Sequence, residues 1–412
     1  MRTGPRRASG LALGVLAGIG GFVDFGGVIT STQSGARFHT ALLWTLLPGI
    51  IGFAVFAEMS GRITISTGRT TFDVIRDRLG GHLALVPLVA TGLVNILTLA
   101  VEIAGMALAV RIGLKLPVPL LAALFAIAVL VVLWRAGFDL LDNTAAILGL
   151  TMLVTVAAMI ELAPRYSHVA VALAHPDART THPAALYAFT VVSLLGAYMT
   201  PYQFEFYSSG AMEQAWTGDD LVTNRMSALV GTSCGGLITL ALMVTAAVTL
   251  FPGHDVKTLL DAARPTRDAF GTAGVAIFAF GTFAVSAGAA LETALAGSYG
   301  VCQFFGWDWG KRQRPREVPM FHLAILLECV VAVAVVATGV DPIRLTVVTM
   351  ALAAFALPFT FGPLLIVAND PEYVGDQTNT RAGNAVALVV FAMLAVVTIV
   401  TIPLLVITRG GS

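Results

Sequence analysis

Long apolar runs, separated by short polar stretches that contain Pro and Gly, dominate the pattern of this chain. A helix needs about 20 predominantly apolar residues to cross a bilayer, and it satisfies its backbone polar groups within its own segment. By that criterion the pattern predicts eleven spans, at residues 11–30, 41–57, 83–112, 118–134, 145–163, 185–209, 226–250, 270–305, 318–338, 345–368 and 385–408. The sequence therefore predicts an all-α integral membrane protein.

Composition supports the bilayer as the solvent of this protein. Of the 412 residues, 57% are hydrophobic and 12% are charged, whereas a soluble domain has about 25% charged residues. The formal net charge of +0 gives no reason to expect nucleic acid as a partner. The three cysteines lie in apolar runs without a CxxC pair, which argues against a disulfide framework or a zinc ribbon.

Basic residues between the spans predict the orientation, because cytoplasmic loops carry an excess of Lys and Arg. With the N-terminus inside, the two densest basic clusters, at 62–78 and 311–316, both fall on the cytoplasmic side. The sequence thus predicts a multi-pass protein of the cell membrane with a cytoplasmic N-terminus and an external C-terminus.

The first span contains an aspartate, Asp24, followed by Gly26 and Gly27. A carboxylate at the centre of a membrane helix costs about 2.5–3.5 kcal/mol on insertion scales, and glycine lowers helix propensity. If the two glycines let the backbone leave the helix, freed carbonyls beside Asp24 would form an oxygen-rich cation site. The alternative is that the glycines permit close helix packing.

The sixth span is interrupted by Pro201, which lacks a backbone donor and clashes with the preceding turn. Two interrupted spans that stand five helices apart indicate an inverted repeat with a substrate site at midplane. We therefore expect one transporter domain over residues 1–412, with repeats at 11–168 and 185–368 and an additional helix at 385–408.

Several motifs, in the same order along the chain, resemble the NRAMP family of divalent-metal transporters. Residues 24–36 resemble that family's first helix, whose signature is Asp-Pro-Gly-Asn followed by Thr, Gln and Gly-Ala. Further similar segments lie at 65–69 (loop after helix two), 102–105 (helix three), 196–201 (helix six) and 357–365 (helix ten). The resemblance implies a LeuT-type fold of about eleven transmembrane helices in a 5+5 inverted repeat, with helices 1 and 6 broken.

The resemblance also implies a metal-binding set, composed of Asp24, Gly27, Ala197 and Thr200. Gly27 stands where the family has an asparagine ligand, and Thr200 stands where it has a methionine ligand. A hydroxyl in place of a thioether makes the site harder, and fewer protein ligands leave room for the water that Mg2+ retains. Both changes are similar to NRAMP-related magnesium transporters, although Phe25 and Ala197 depart from that branch, so Mg2+ and Mn2+ are the expected ions.

Proton coupling is expected to be weak or absent. Where the family has two helix-six histidines this chain has Tyr202 and Tyr207, and Leu99 replaces a helix-three aspartate. Histidine is the only side chain that ordinarily titrates near neutral pH. The membrane potential alone supplies about 2.3 kcal/mol per charge per 100 mV.

Other polar residues within the spans are candidates for the ion pathway or for coupling, namely Glu102, Glu205, Tyr202, Thr30 and Gln33. We expect Glu102 to neutralise an arginine or to polarise the pathway. Thr30 and Gln33 fit either an outer vestibule or hydrogen bonds between helices, and Glu205 fits either an exit or a structural role. Three further buried ionisable residues have no assigned role, namely Glu292, His322 and Glu328.

The leading hypothesis is a secondary transporter of divalent cations that works by alternating access. A carrier of a small organic solute such as an amino acid, and a degenerate relative that does not transport, are the alternatives. The chain has no HExxH, and its single GxSxG match, at 231–235, falls within the apolar seventh span rather than at a strand-to-helix turn, so an enzyme is not expected. No resident cofactor is expected, because the metal ion is the cargo.

Overall fold

A computed structural model describes residues 23–138, 141, 149–175 and 182–411. Its α-helices are α1 (Phe25–Phe38), α2 (Leu46–Thr67), α3 (Thr71–Leu79), α4 (Gly81–Arg111), α5 (Val118–Arg135), α6 (Leu153–Glu161), α7 (Tyr166–Ala174), α8 (Ala184–Tyr198), α9 (Pro201–Glu213), α10 (Leu221–Thr249), α11 (Leu259–Ala262), α12 (Arg264–Phe305), α13 (Pro319–Ala337), α14 (Pro342–Ala368), α15 (Pro371–Val374) and α16 (Arg381–Ile407). Within these residues every regular element is helical, as the apolar pattern predicts.

Nine helical segments of the described chain are long and apolar enough to span a membrane. They correspond to the predicted spans two to four and six to eleven. Of the first predicted span, residues 11–22 lie outside the described residues, and so does part of the fifth, whose described portion includes α6. The internal division into two repeats stays a prediction.

The main difference in the bounds concerns the second span, which ends at Thr67 rather than at residue 57. The polar residues beyond 57 are part of the helix and bond to neighbours: Arg62 Nε donates to Glu58 Oε1 at 3.0 Å, and Ser60 Oγ donates to the Phe204 carbonyl at 3.0 Å. Hydropathy alone ends the span too early because these groups are satisfied inside the protein. The helix stops at Gly68, whose φ of 64° is left-handed.

Burial separates an inner set of helices from an outer one. In the most apolar stretch of the α8–α9 segment 67% of residues are buried, against 28% in α5 and in α16. The apolar faces of α5 and α16 therefore meet lipid, whereas α1, which contacts α10, α8 and α14, is enclosed by protein. The polar side chains of α1 are consequently shielded from lipid.

Gly35 lets α1 approach α10 closely. A methyl group placed on Gly35 would lie 2.2 Å from the Met243 carbonyl oxygen and 2.9 Å from the Ala247 nitrogen. Because these are backbone atoms, they cannot move without shifting the helix, which is the use of small residues at membrane helix interfaces.

We expect Gly35→Ala to destabilise the protein, because overpacking a tight contact costs about 1–3 kcal/mol. Thermal unfolding in detergent should show a lowered midpoint. The matched control is Gly92→Ala in α4, where an added methyl meets nothing within 4 Å. Equal midpoints for the two variants would contradict the proposed tight packing of α1 on α10.

Candidate metal-binding site

The first span is interrupted at Asp24. Val23 is helical, Asp24 has an extended backbone (φ −59°, ψ 173°), and α1 begins at Phe25. The interruption is predicted correctly, but its position is not, because Gly26 and Gly27 lie in the first turn of α1. Asp24 caps this helix: the Gly27 N–H donates to Asp24 Oδ1 at 2.6 Å. The two glycines thus remain helical, and the helix resumes directly after Asp24, whose carboxylate caps it.

The sixth span is interrupted where Pro201 predicts. α8 ends at Tyr198, Met199 and Thr200 are not helical, and Pro201 is the first residue of α9. A proline at this position costs nothing, since the first N–H of a helix has no helical partner. The last four carbonyls of α8, which include that of Ala197, likewise lack helical partners by the geometry of a helix end.

The two interruptions meet beside α14. A methyl group on Gly196, in the last turn of α8, would lie 1.9 Å from the Met350 carbonyl oxygen. A methyl group on Gly26, in the first turn of α1, would lie 2.5 Å from the Met350 sulfur and 3.1 Å from Asp24 Oδ1. Gly196 and Gly26 therefore bring both broken helices to one residue of α14.

Polar atoms at the two breaks lack partners. Asp24 and Thr200 are both 0% exposed. Asp24 Oδ2 and Thr200 Oγ1 each have no hydrogen-bond partner among the described residues. Most buried polar atoms in proteins have a partner, so an orphaned atom calls for a ligand, an ion or a water.

Glu102 of α4 contacts the same break. Its Oε2 accepts a hydrogen bond from the Phe25 N–H at 3.2 Å, while its Oε1 has no partner in the described part of the chain. A proline at position 25, as in the family signature, could not donate this bond. The Phe25 ring fills the space beside Gly105, where a methyl group would come within 2.6 Å of it.

The expectation that Glu102 neutralises an arginine is not met within the described residues. The ion pairs of that part of the chain involve other carboxylates, and the neighbouring charge that acts on Glu102 is that of Asp24. Glu102 instead holds the backbone at the start of α1.

The remaining candidates of the pathway are buried and most are engaged. Tyr202, in the first turn of α9, feels the charges of Asp24 and Glu102, and its hydroxyl accepts from Gln203 Nε2 at 3.3 Å. Thr30 Oγ1 donates to the Gly26 carbonyl at 2.7 Å within α1. Tyr202 therefore lies close enough to Asp24 to interact with its charge, whereas the Thr30 hydroxyl is engaged within α1.

At the C-terminal end of α1, hydrogen bonds connect the helix to the loop after α10. Gln33 Nε2 donates to the Val256 carbonyl at 3.0 Å, and Arg37 pairs with both carboxylate oxygens of Asp255 at 2.9 Å. Burial by itself raises the pKa of Asp255, but the hydrogen bond and charge of Arg37 outweigh it and hold that pKa below its usual value. Gln33 thus bonds to a loop in this conformation.

Glu205 lies one turn after the second break, away from Asp24. Its Oε2 accepts from Asn95 Nδ2 at 3.2 Å, and it lines a cavity of about 20 Å³ together with Ser208 and Gln303. A cavity of that size holds about one water. The sequence analysis missed Asn95, although a polar residue inside the apolar run at 83–112 is a signal for a hydrogen bond between helices. Met350 gives no such signal, because methionine is an ordinary residue of an apolar helix.

Glu292, His322 and Glu328, which the sequence leaves without a role, do not form one cluster at the helix breaks. Glu292 is buried and its charge acts on Tyr202. Glu328 packs against Gly297, where a methyl would lie 2.3 Å from its Oε1, and both ring nitrogens of buried His322 lack a hydrogen-bond partner among the described residues. The described residues contain no group of three or more His, Cys, Asp or Glu side chains that could hold a metal. A metal at the break would therefore depend on one or two carboxylates plus hydroxyl and carbonyl oxygens.

Comparison with known proteins identifies the family. The model of the natural resistance-associated macrophage protein-like (Nramp) family matches residues 14–404. The chain belongs to the NRAMP family. This match confirms the resemblance of the motifs at 24–36 and 196–201, and it identifies a family of membrane transporters rather than of enzymes.

Curated NRAMP relatives extend over nearly the whole chain. The divalent metal cation transporter MntH of Erwinia tasmaniensis is 25% identical over 389 residues, which cover 90% of each chain. MntH of Ralstonia nicotianae is 27% identical over 399 residues, covering 93% of this chain and 88% of the relative.

Solved structures establish the architecture. The manganese transporter of Eremococcus coleocola superimposes with a TM-score of 0.78 at 17% identity, covering 96% of this chain and 86% of that one. Mhp1, a nucleobase-cation-symport-1 family transporter, gives a TM-score of 0.62 at 13% identity, covering 97% and 91%. These similarities establish the LeuT-type fold of this NRAMP protein, with its broken helices.

We expect Glu102→Ala to impair the site more than Glu102→Gln, because an amide oxygen can still accept the Phe25 N–H whereas a methyl group cannot. The measurement is binding of Mn2+ to purified protein by isothermal titration calorimetry. Loss of the hydrogen bond should weaken binding at least tenfold in Glu102→Ala and a few-fold in Glu102→Gln. Equal effects of the two substitutions would show that the positioning contact is not what matters.

Proposed function

We propose that this protein is a secondary transporter of divalent metal cations and that the ion binds at the two helix breaks. The observation that carries the proposal is Asp24 Oδ2, a buried carboxylate oxygen at the start of α1 that has no hydrogen-bond partner among the described residues. A buried carboxylate of this kind requires a cation or a proton, since its charge is otherwise very costly. The metal-transporting relatives support a divalent ion as that cation.

The proposed ligand set is Asp24, the Ala197 carbonyl and the Thr200 hydroxyl, with Gly27 leaving space where the family has a side chain. Carbonyls at the end of a half-helix such as α8 are suitable cation ligands. On these residues the site is rich in oxygen and has room for retained water, which suits Mg2+ as well as Mn2+.

The burial of the site supports transport by alternating access. Asp24 and Thr200 are 0% exposed, so an ion can reach them only when the helices around the breaks move. We infer an occluded conformation, with the polar contacts at Gln33 on one side of Asp24 and those around Glu205 on the other. The basic clusters at 62–78 and 311–316 support a cytoplasmic N-terminus and an external C-terminus. Tyr202 and Tyr207 in place of histidines support uptake driven by the membrane potential with weak proton coupling.

We expect Asp24→Asn to reduce uptake of Mg2+, Mn2+ and Ca2+ to the level of protein-free liposomes. The asparagine oxygen still accepts the Gly27 N–H, so the helix cap remains while the negative charge is lost. Uptake is followed with a divalent-sensitive dye at an imposed membrane potential. During uptake by the wild-type protein, a pH dye inside the same vesicles should report no coupled proton influx. Uptake by Asp24→Asn at the wild-type rate would overturn the proposed site.

We expect Thr200→Met to raise the ratio of Mn2+ to Mg2+ uptake about tenfold, which corresponds to about 1.4 kcal/mol. A thioether favours transition metals over Mg2+, whereas the native hydroxyl does not. Thr200→Ser keeps a hydroxyl and serves as the control, with an unchanged ratio. An unchanged ratio in Thr200→Met would rule out residue 200 as a determinant of ion preference.

A further inference from the structure

We propose that an anionic phospholipid binds in a cavity at one surface of the membrane, with its phosphate at Arg111 and Lys257 and an acyl chain against the apolar wall, and that it braces the loop that closes the end of α1. We call this space the Arg111 cavity. The inference is separate from the proposed metal site, because it concerns a part of the molecule that the metal ion does not contact.

Three connections between helices meet at the Arg111 cavity. The turn after α4 contributes Ile112, the turn after α13 contributes residues 339–341, and the segment after α10 contributes residues 257–260. The helices α4, α5, α13 and α14 are each long and apolar enough to span a membrane, so the turns that join α4 to α5 and α13 to α14 lie at a membrane surface. A ligand in this cavity therefore lies near the lipid headgroups.

The size and the wall of the Arg111 cavity are those of a ligand pocket. Its volume is about 610 Å³, within the range of about 300–1,000 Å³ for small-molecule sites. Most of the wall is apolar and comes from helix ends and turns, namely Leu108, Ile112, Val118, Leu260, Val336 and Val340. One side belongs to α5, and only 28% of the most apolar stretch of α5 is buried. The cavity thus adjoins the surface that meets lipid, and a phospholipid can reach it from the bilayer itself.

Two cations of the lining lack a counter-charge. Arg111, in the last turn of α4, and Lys257 are exposed, and neither side chain has an ion pair or a hydrogen bond within the described residues. Asp341 also lines the cavity, but its Oδ1 already accepts from the Arg344 N–H at 2.8 Å and so caps α14. Two cations and one engaged carboxylate are complementary to the phosphate of an anionic lipid.

A second cavity of similar size has cations that are paired within the protein. It measures about 560 Å³, and its lining includes Arg62, Arg225 and Glu58. Glu58 Oε1 lies 3.0 Å from Arg62 Nε and 3.6 Å from Arg225 Nε. Each cation of that cavity therefore has a carboxylate partner, which Arg111 and Lys257 lack, so the Arg111 cavity is the better site for an anion.

A lipid in the Arg111 cavity contacts the loop that closes the end of α1. Lys257 follows Asp255, which pairs with Arg37 of α1, and Val256, whose carbonyl accepts from Gln33 of α1 at 3.0 Å. With its phosphate on Lys257 and its chain against α4 and α13, the lipid links this loop to helices outside α1. Because a ligand favours the state that it binds better, the lipid should favour the closed arrangement of this loop.

The experiment removes the two charges and keeps the apolar wall. In the variant Arg111→Gln with Lys257→Gln, neutral side chains replace both cations. The matched control is Lys115→Gln with Arg267→Gln, which removes two exposed cations near the same helix ends that do not line the Arg111 cavity. Phosphatidylglycerol is the anionic lipid, phosphatidylcholine is the zwitterionic comparison, and inorganic phosphate is the anion without acyl chains.

We expect wild-type protein in detergent micelles that contain both lipids to retain phosphatidylglycerol in native mass spectrometry. The variant without Arg111 and Lys257 should need about 30-fold more of it for half-occupancy, which corresponds to about 2 kcal/mol for two basic residues. The control should match the wild type. Equal affinities in the two double variants, retention of phosphatidylcholine in place of phosphatidylglycerol, or displacement of the lipid by inorganic phosphate would each overturn the proposal.

Hydrogen exchange of the backbone tests the effect on the loop. In nanodiscs of phosphatidylglycerol, peptides that cover residues 254–263 should exchange more slowly than in nanodiscs of phosphatidylcholine. This difference should vanish in the variant Arg111→Gln with Lys257→Gln and persist in the control. Lipid binding without slower exchange of these peptides would overturn the bracing of the loop.

Discussion

A carboxylate without a cationic partner, enclosed in the interior of a membrane protein, is the constraint on which this structure depends. Asp24 is fully buried, and no lysine or arginine of the described chain pairs with it. The Gly27 N–H donates to its Oδ1 at 2.6 Å, which stabilises the charge only in part. The break in the helix, the close approach of three helices and the contact of Glu102 with Phe25 all lie within a few residues of this group. All three features are explained if the cargo that binds Asp24 is a cation.

One difference from the family signature is accommodated by contacts with another helix. Phe25 replaces a proline, and the N–H that it gains bonds to Glu102 while its ring occupies the space beside Gly105. A larger residue at 105 would displace that ring. One substitution in the signature therefore depends on residues of α4 more than 70 positions away, and the motif at 24–27 changes without loss of the helix break.

The sequence predicts those features that depend on one residue in its own segment. Pro201 ends a helix by its covalent structure, and a lone aspartate in an apolar run is costly wherever that run packs, so both breaks are predictable. The exact place of the first break is not, because Gly26 and Gly27 remain helical once Asp24 caps them. The contacts of Met350 with both broken helices and the partner of Glu102 are also hidden, since both depend on which helices are neighbours in the fold. Gly196 and Gly35 illustrate the same limit, because only the folded chain shows whose backbone they touch.

The distribution of polar contacts around the site indicates which interfaces can part during the proposed transport cycle. Between α2, α3 and α9 the contacts include buried hydrogen bonds, from Thr71 N to Ser208 Oγ at 2.8 Å and between Thr64 and Ser208 at 2.8 Å, in addition to the contact of the Phe53 and Phe204 rings. Such bonds contribute little net free energy when water can replace them, so an interface built from them opens at small cost once it is hydrated. The contact of α1 with α10 at Gly35 is backbone against backbone with the Ala246 methyl group beside it, and separating the two helices would expose this tightly packed surface to water. Movement that admits water beside Glu205 while α1 stays on α10 is therefore the less costly route from the buried Asp24 to one side of the membrane.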